Sequence, residues 1–387
     1  MDKFSRTLTL KNSVFLGLSS MIGAGLFLNI APTAKIASYS LILGLIMASS
    51  LAFANASSSA QLARLYPETG GTYLYAKNVL GKIPSLIAGY SFIIGKSISC
   101  IAIALTLGNY LSPMYPEYSG IIVVLIVAGI SYFGITKTVA IAKWFVYSLI
   151  GILLFYIISI TSSETFTIQI PITDGLTLKG FLLSSCIWFF AFTGYSRLAT
   201  FGEEVKNPEK IIPKAIFTGL GLTVLIYLSI SWATLGIISP EIIENSITPL
   251  KVAFDVSRFS DFSFLIVVAS TIATGSVLLA LVPGISRILV AMARDSYLPS
   301  FIKKIHPSFN SAYVSEIITT GIIIIGILYL DVINAVKLSS FFILIYYSLT
   351  NLSVINLKKD ERLYPSIYAY YGFISCVLLS IGLIVYF

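Results

Sequence analysis

The sequence predicts an all-α protein that crosses a membrane many times, with about eleven transmembrane helices. Of its 387 residues, 57% are hydrophobic and 11% are charged, whereas an ordinary soluble domain has about 25% charged residues. The hydrophobic residues are gathered in long runs, and a run of about 20 apolar residues can cross a bilayer as a helix. Composition and run length together exclude an ordinary soluble fold.

Eleven apolar segments can be read along the chain, each bounded to within a few residues. No low-complexity tract or linker separates them, so we expect one transmembrane domain over residues 1–387. The segments are 13–31, 38–60, 82–112, 119–136, 143–161, 178–202, 212–238, 262–287, 312–330, 333–357 and 366–387.

The distribution of charge predicts the orientation of the helices. The net charge is +8, from 25 Lys and Arg against 17 Asp and Glu. If the N-terminus is cytoplasmic, most of the cations fall in cytoplasmic loops, as the positive-inside rule requires. The basic balance therefore reflects membrane topology and does not indicate a nucleic-acid partner. We expect a multi-pass protein of the cell membrane, without a cleavable signal peptide and with the C-terminus outside.

The first segment contains Ser19–Phe27, with Gly23 and Gly25 near its centre. Glycine weakens a helix by about 1 kcal/mol relative to alanine. Backbone groups within a bilayer must be paired, buried in protein or exposed to a wet cavity. The pattern predicts a broken helix whose freed backbone groups face something polar. The alternative is that the small residues let another helix pack closely.

The third segment carries a lysine deep in the membrane. Counting from Lys82, Lys96 lies about 20 Å along the helix, because each residue adds about 1.5 Å. An ionisable residue at that depth is a functional hypothesis by default. The alternative is a structural role, in which Lys96 bonds backbone carbonyls. No Asp or Glu is expected within a helix core.

The sixth segment repeats the interruption of the first. Small residues at Ala191–Gly194 fall in mid-membrane, Arg197 follows, and Glu203 and Glu204 end the segment. Segments one and six are five helices apart, so the second group of five enters the membrane in the opposite sense. This is the layout of an inverted repeat, 1–161 and 178–357, with an extra helix at 366–387. Paired interruptions of this kind point to a transport site near the midplane.

The remaining chemistry-bearing residues favour neither an enzyme nor a metal protein. Segment eight contains Thr271 and Thr274, whose hydroxyls could bind a sodium ion or bond their own helix at i−4. Cys100, Cys186 and Cys376 lie in apolar segments and are interpreted as packing residues. No nucleophile–base pair or metal cluster is evident within the helices. We therefore expect no catalytic residue, no metal ligand and no cofactor.

Four stretches, in this order, resemble the APC (amino acid–polyamine–organocation) transporter superfamily. The first has two glycines before Leu-Phe, the second reads Tyr-Pro-Glu-Thr-Gly-Gly-Thr-Tyr, the third contains Phe-Phe-Ala-Phe and ends Glu-Glu-Val-Lys-Asn-Pro, and the fourth contains Ala-Arg-Asp. They are Gly17–Phe27, Tyr66–Tyr73, Phe189–Pro208 and Arg287–Pro299. Together they extend over nearly the whole chain.

The resemblance implies a leucine-transporter-like fold of five plus five helices, with helices one and six discontinuous. It implies secondary transport of amino acids or related amines. The backbone around the first break would bind the substrate carboxylate, carbonyls of the second would bind its amino group, and an aromatic ring would gate the site. These residues are Met21, Ile22, Gly23, Ala24 and Gly25; Ala191, Phe192, Thr193 and Gly194; and Phe190.

The chain departs from the family pattern in three ways. It has eleven segments where relatives commonly have twelve. The lysine that many relatives carry in segment five is replaced by Gly151 or Ile152. Ser196 and Arg197 replace the acidic-small pair that often follows the second break.

These departures leave the coupling ion open. A proton could be carried by Lys96, Glu203 or Glu204, or sodium could bind near Thr271 and Thr274. Arg197 could pair with Glu203 or Glu204 as an inner gate and repel cationic substrates, or only fix the helix. An amino acid sensor and a polyamine or organic cation exchanger are the alternative functions.

Overall fold

The structure is a computed structural model. It describes residues 6, 8–68, 70–133, 135–169, 177–200, 202, 205–309 and 311–386, and for 24, 135–142 and 199–200 it describes the backbone alone. These residues are helical almost throughout and form no strand. A single parallel bridge joins Leu8 to Val205. The Lys206 N–H donates to the Leu8 carbonyl at 2.9 Å, so the start of the chain is tied to the connection that follows the sixth segment.

Sixteen α-helices are numbered here in chain order over the described part of the chain. They are α1 Leu10–Met21, α2 Ala24–Ala37, α3 Leu41–Leu65, α4 Thr72–Val79, α5 Lys82–Leu111, α6 Pro116–Tyr132, α7 Ile135–Thr161, α8 Leu178–Phe192, α9 Ser196–Thr200, α10 Pro208–Ile237, α11 Pro240–Glu244, α12 Pro249–Asp255, α13 Phe264–Arg294, α14 Tyr313–Ile327, α15 Val332–Ile355 and α16 Ser366–Tyr386.

The predicted all-α polytopic membrane fold is confirmed. Among the described residues, eight helical stretches are long and apolar enough to cross a membrane, and the first of them, Leu10–Leu65, covers two predicted segments. The shorter apolar helices α6 and α14 match segments four and nine. Each predicted segment thus corresponds to helix within the described residues. The sequence analysis missed α4, α11 and α12, which are short helices in connections.

The expectation that no carboxylate lies within a helix core is wrong at one position. Glu316 in the first turn of α14 is only 5% exposed. It interacts with Arg287 of α13 and with Ser131 of α6. Segment eight was expected to end at 287, but α13 continues to Arg294, which buries Arg287 and supplies the carboxylate with a cationic neighbour. A buried carboxylate requires such partners, because desolvation of an ion is costly.

A buried polar network connects α3, α15 and α16. Asn351 donates to the Asn55 side chain at 2.6 Å and to the Tyr347 carbonyl at 3.0 Å. Ser58 donates to the Asn351 side-chain carbonyl at 2.7 Å. Asn55 also donates to the thiol of Cys376 on α16 at 3.5 Å. Since interhelical packing in lipid lacks a hydrophobic driving force, such bonds help to fix which helices adjoin.

A second polar group, the Asp295 cluster, consists of Tyr73, Lys77 and Asp295. Lys77 of α4 lies 2.7 Å from one Asp295 carboxylate oxygen, and the Tyr73 hydroxyl donates to the other at 2.5 Å. The cluster fastens α4 to the end of α13 outside the spanning segments. Burial, followed by the hydrogen bond and charge of Asp295, raises the pKa of the Tyr73 phenol.

Replacing Asp295 with asparagine should loosen α4. The substitution removes the ion pair and weakens the Tyr73 bond, and we expect a loss of about 1 kcal/mol. Hydrogen exchange of the α4 amides should quicken. In the wild type the Tyr73 contribution is complete below about pH 10 and is lost as the pH rises through the higher folded-state pKa.

The matched control is Lys251→Met. It breaks an exposed ion pair, Lys251–Asp255, that joins neighbouring turns of one short helix. This variant should leave α4 exchange unchanged. Equal α4 exchange in Asp295→Asn and wild type would show that the Asp295 cluster does not hold α4.

Candidate functional site

The first predicted break is confirmed. Helix α1 ends at Met21 and α2 begins at Ala24, and Ile22 and Gly23 between them have non-helical ψ angles of 71° and −142°. The Ile22 N–H donates to the Leu18 carbonyl at 2.7 Å, and the Gly23 N–H donates to the Met21 carbonyl at 2.8 Å. The Met21 carbonyl also accepts from the Tyr227 hydroxyl. In the first turn of α2 the Leu26 N–H donates to the Gly23 carbonyl at 3.3 Å, so the freed donors are the N–H groups that precede Leu26, at Ala24 and Gly25.

The second interruption is milder than expected. The chain stays helical through Ala191 and Phe192, and a 3₁₀ turn at Thr193–Tyr195 then leads into α9. The Phe190 carbonyl accepts both the Thr193 N–H and the Thr193 hydroxyl, the latter at 2.8 Å. This i→i+3 pattern tightens the helix instead of unwinding it. The interruption is a change of helix type, centred on Gly194, the last residue of the predicted stretch.

The two interruptions lie directly against each other. A β-carbon added to Gly25 would be 2.4 Å from the Ala191 Cβ and 2.6 Å from its Cα. A β-carbon added to Gly194 would be 2.1 Å from the Ser20 carbonyl oxygen. Contacts this short cannot accommodate a side chain at either glycine. The glycines are therefore required for the close approach of α1 and α2 to the end of α8.

A small buried cavity lies at this junction, with a volume of about 20 Å³. That is room for ordered water and little more. It brings together seven of the predicted residues, namely Met21, Gly25, Lys96, Phe190, Ala191, Thr193 and Gly194, with Ser20, Ser99, Ile103, Val277 and Leu281. The proposed gate residue Phe190 is therefore a wall of the cavity.

Of the other residues predicted around the breaks, Ile22, Gly23 and Phe192 are not among the described residues that line the cavity. Ile22 is buried, and a β-carbon on Gly23 would meet Val277 of α13 at 2.0 Å. Phe192 packs on Tyr227, with ring centroids 5.3 Å apart. Ala24 begins α2, and only its backbone is described. These residues support the shape of the site.

The structural role considered for Lys96, in which it bonds a backbone carbonyl, is seen in the structure, and its functional role stays a prediction. It is 2% exposed and lines the cavity. Its Nζ donates to the Thr193 hydroxyl at 2.8 Å and to the Thr193 carbonyl at 3.2 Å. The same carbonyl accepts from Ser196 at 2.9 Å and from Tyr347 at 3.3 Å. The cation thus bonds the backbone of the second interruption while facing the candidate site.

Arg197 is 3% exposed and lies one turn after Thr193, with its guanidinium facing Gly284 of α13. Glu203 and Glu204 lie outside the described residues, so their pairing with Arg197 stays a prediction. Thr271 donates to the Val267 carbonyl at 2.8 Å. Thr274 donates to the Ser270 carbonyl at 2.5 Å, so both hydroxyls bond their own helix, and neither lines the cavity.

Several lining residues were missed by the sequence analysis. Ser99 and Ile103 follow Lys96 by three and seven residues, so helical spacing alone would have placed them on the same face. Val277 and Leu281 of α13 are also one turn apart. Nothing in their residue type distinguishes them from other apolar residues. Only the packing of α13 against the first break assigns them to the site.

The fold is polytopic and helical, and a cavity with some polar lining groups lies between two interrupted helices. This architecture is typical of membrane transporters. The chain matches the Amino acid permease family over residues 12–387. The protein therefore belongs to the amino acid permease family of the APC superfamily, as its motifs indicated.

Individual relatives differ in the substrate their names carry. An uncharacterized transporter of Mycobacterium tuberculosis (strain ATCC 25618 / H37Rv) is 35% identical over 391 residues, which cover 99% of this chain and 87% of the relative. The methylthioribose transporter of Bacillus subtilis (strain 168) is 24% identical, covering 92% and 82%. The vacuolar cationic amino acid transporter 2 of Arabidopsis thaliana is 26% identical, covering 94% and 62%. The family is shared, whereas the named substrates are not.

Proposed function

We propose that this transporter carries amino acids or related amines across the cell membrane by alternating access, as a secondary transporter. The observation that supports the proposal is the cavity between the two helix interruptions, where backbone and polar groups are buried together. In lipid such groups are tolerated only in a protein-lined site. A substrate that offers an acceptor to the N–H groups at the start of α2 would be bound there.

The substrate carboxylate is assigned to the start of α2. The first N–H groups of this 14-residue helix, including that of Gly25, have no partner in a preceding turn. The positive end of the helix dipole also favours an anion at this position. Gly25 lines the cavity without a side chain, which leaves the backbone accessible to a ligand.

Transport requires this site to open to each side in turn. We propose that the two five-helix halves, 1–161 and 178–357, move against each other around the cavity, with 366–387 as an extra helix. The N-terminus is placed in the cytoplasm. The small volume of the cavity supports a closed conformation, in which substrate is admitted only after α1, α2 and α8 separate.

The driving ion is proposed to be a proton or sodium. Lys96 supports the proton, because it is a titratable group inside the cavity. Thr271 and Thr274 support sodium less directly. They lie on α13, the helix that contacts Gly23 through Val277. An imposed pH gradient and an imposed sodium gradient distinguish the two. If Lys96 carries the proton, Lys96→Met should abolish uptake driven by pH, whereas unchanged uptake would exclude Lys96 as the carrier.

Purified protein in proteoliposomes tests the proposed function. We expect these proteoliposomes to take up more labelled amino acid than vesicles without protein. One of the two gradients should accelerate this uptake. Thermal stabilisation by the same amino acids should accompany uptake, because a ligand stabilises the state that binds it. Binding without uptake would identify a sensor, and neither binding nor uptake of any amino acid would contradict the proposal.

A further inference from the structure

The cavity contains a buried lysine, which is a cation when protonated, and, among the described residues that line it, no carboxylate. Its polar lining consists of the Lys96 ammonium, the hydroxyls of Ser20, Ser99 and Thr193, and backbone groups. Lys96 has only 2% of its surface exposed. A charge at this depth interacts strongly with any charged ligand that enters, because the surroundings screen it poorly. The affinity of the site for a ligand therefore depends on the charge of that ligand.

The carbonyl of Thr193 is already fully used by the protein. Three donors reach it, from Lys96 at 3.2 Å, Ser196 at 2.9 Å and Tyr347 at 3.3 Å. A carbonyl oxygen has two lone pairs, so no acceptor capacity is left for an amine of the substrate. On this side of the cavity a second ammonium would meet donors instead of acceptors.

In its protonated form, Lys96 has one N–H group that can donate to a ligand. An ammonium carries three N–H groups and no acceptor, and two of them are directed to the hydroxyl and carbonyl of Thr193. The third is available to an acceptor atom of the ligand. Arg197, buried one turn beyond Thr193, adds a second positive group to the same end of the second interruption.

We infer that Lys96 determines specificity by admitting α-amino acids with neutral or acidic side chains and excluding cationic amino acids and polyamines. The inference rests on the proposed function and narrows its substrate class. The α-carboxylate would lie at the start of α2, and the side chain would face Lys96 and Ser99. A carboxylate or carboxamide there accepts the third N–H, whereas an ammonium or guanidinium is repelled.

Apolar residues of α5 and α13 form part of the cavity wall. Ile103, Val277 and Leu281 line it. The volume of about 20 Å³ in this conformation is room for ordered water and little more, so these residues must move apart before any amino acid can enter.

Ligand binding to the purified wild-type protein, measured without any ion gradient, is the first test. The panel comprises alanine, serine, aspartate and glutamate, set against lysine, arginine and putrescine. The neutral and acidic ligands should bind at least about tenfold more tightly than the cationic ones. Binding of lysine or arginine as tight as that of serine would overturn the inference.

The second test replaces Lys96 by a residue that removes its charge or by one that keeps it. Lys96→Met should reduce the preference for acidic over cationic ligands by about tenfold or more, while Lys96→Arg, which keeps the charge, should continue to reject the cations. Lys82→Met makes the same change at the exposed start of the same helix and should leave all affinities unaltered. An unchanged preference in Lys96→Met, or the same change in Lys82→Met, would refute the role of Lys96.

The two proposals fail in different ways. If no amino acid binds or is taken up by the wild type, the proposed function is wrong. If amino acids bind and are transported but cationic ones do so equally well, only the role of Lys96 is wrong. The wild-type panel needs no variant, so a folding defect in Lys96→Met would not leave the inference untested.

Discussion

Replacing Gly194 with alanine is expected to weaken substrate binding strongly and to reduce uptake accordingly. The new β-carbon would lie 2.1 Å from the Ser20 carbonyl oxygen and 2.5 Å from its carbon, and backbone atoms cannot rotate away as a side chain can. The 3₁₀ turn and α1 must separate, which distorts the cavity between them. Overpacking of this kind costs about 1–3 kcal/mol, or roughly 10- to 100-fold in affinity if it falls on the bound state.

The control for this prediction is Gly275→Ala on α13. No atom lies within 4 Å of a β-carbon there, and alanine is the better helix former by about 1 kcal/mol. Binding should be normal and stability equal or slightly higher. Binding by titration and uptake in proteoliposomes measure both variants. Normal affinity in Gly194→Ala would show that the interruptions need not touch for binding.

Replacing Asn351 with alanine should cost about 2–3 kcal/mol of stability. The change leaves the side chains of Asn55 and Ser58 without their partner in α15, and a buried group left unsatisfied costs about 1–3 kcal/mol, less where the membrane-embedded unfolded state finds other partners. The effect should centre on α16, because Asn55 bonds Cys376 there and Asn351 packs against Gly372.

Thermal unfolding in detergent, together with labelling of Cys376 by a thiol reagent, measures the effect. The wild-type thiol is buried and should react slowly, whereas Asn351→Ala should react faster. Asn356→Ala is the control, since Asn356 is exposed and bonds only within its own helix, to the Leu352 carbonyl at 2.8 Å. An unchanged melting temperature in Asn351→Ala would show that the network does not fasten α16.

The sequence predicts the helices well because the bilayer imposes a strong and simple pattern. Apolar runs of about 20 residues correspond to helices. The break at Gly23 was predictable because glycine is a weak helix-forming residue in the middle of a spanning segment. The position of the interruption near Thr193 was predicted, but its form, a 3₁₀ turn, was not. Whether a weakened helix unwinds or tightens depends on a local bond, here from the Thr193 hydroxyl to the Phe190 carbonyl.

The residue types by themselves predicted the candidate site only where they are unusual for a membrane, and the family resemblance predicted ordinary residues such as Met21 and Phe190. Lys96 is conspicuous because a lysine in mid-membrane is rare, and Gly25 because a glycine weakens a spanning helix. Val277 and Leu281 are ordinary apolar residues, and their role comes from tertiary packing. Glu316 was missed because its partner Arg287 is distant in sequence and was expected at the cytoplasmic end of segment eight.

The small volume of the cavity has a consequence for the measured affinity. If the closed form predominates in the absence of substrate, only the minor fraction of molecules that are open can bind it. The apparent dissociation constant is then the intrinsic constant divided by that fraction. A variant that favours the open form would bind more tightly with no new contact to the substrate, and would carry fewer molecules per second if closure became the slow step.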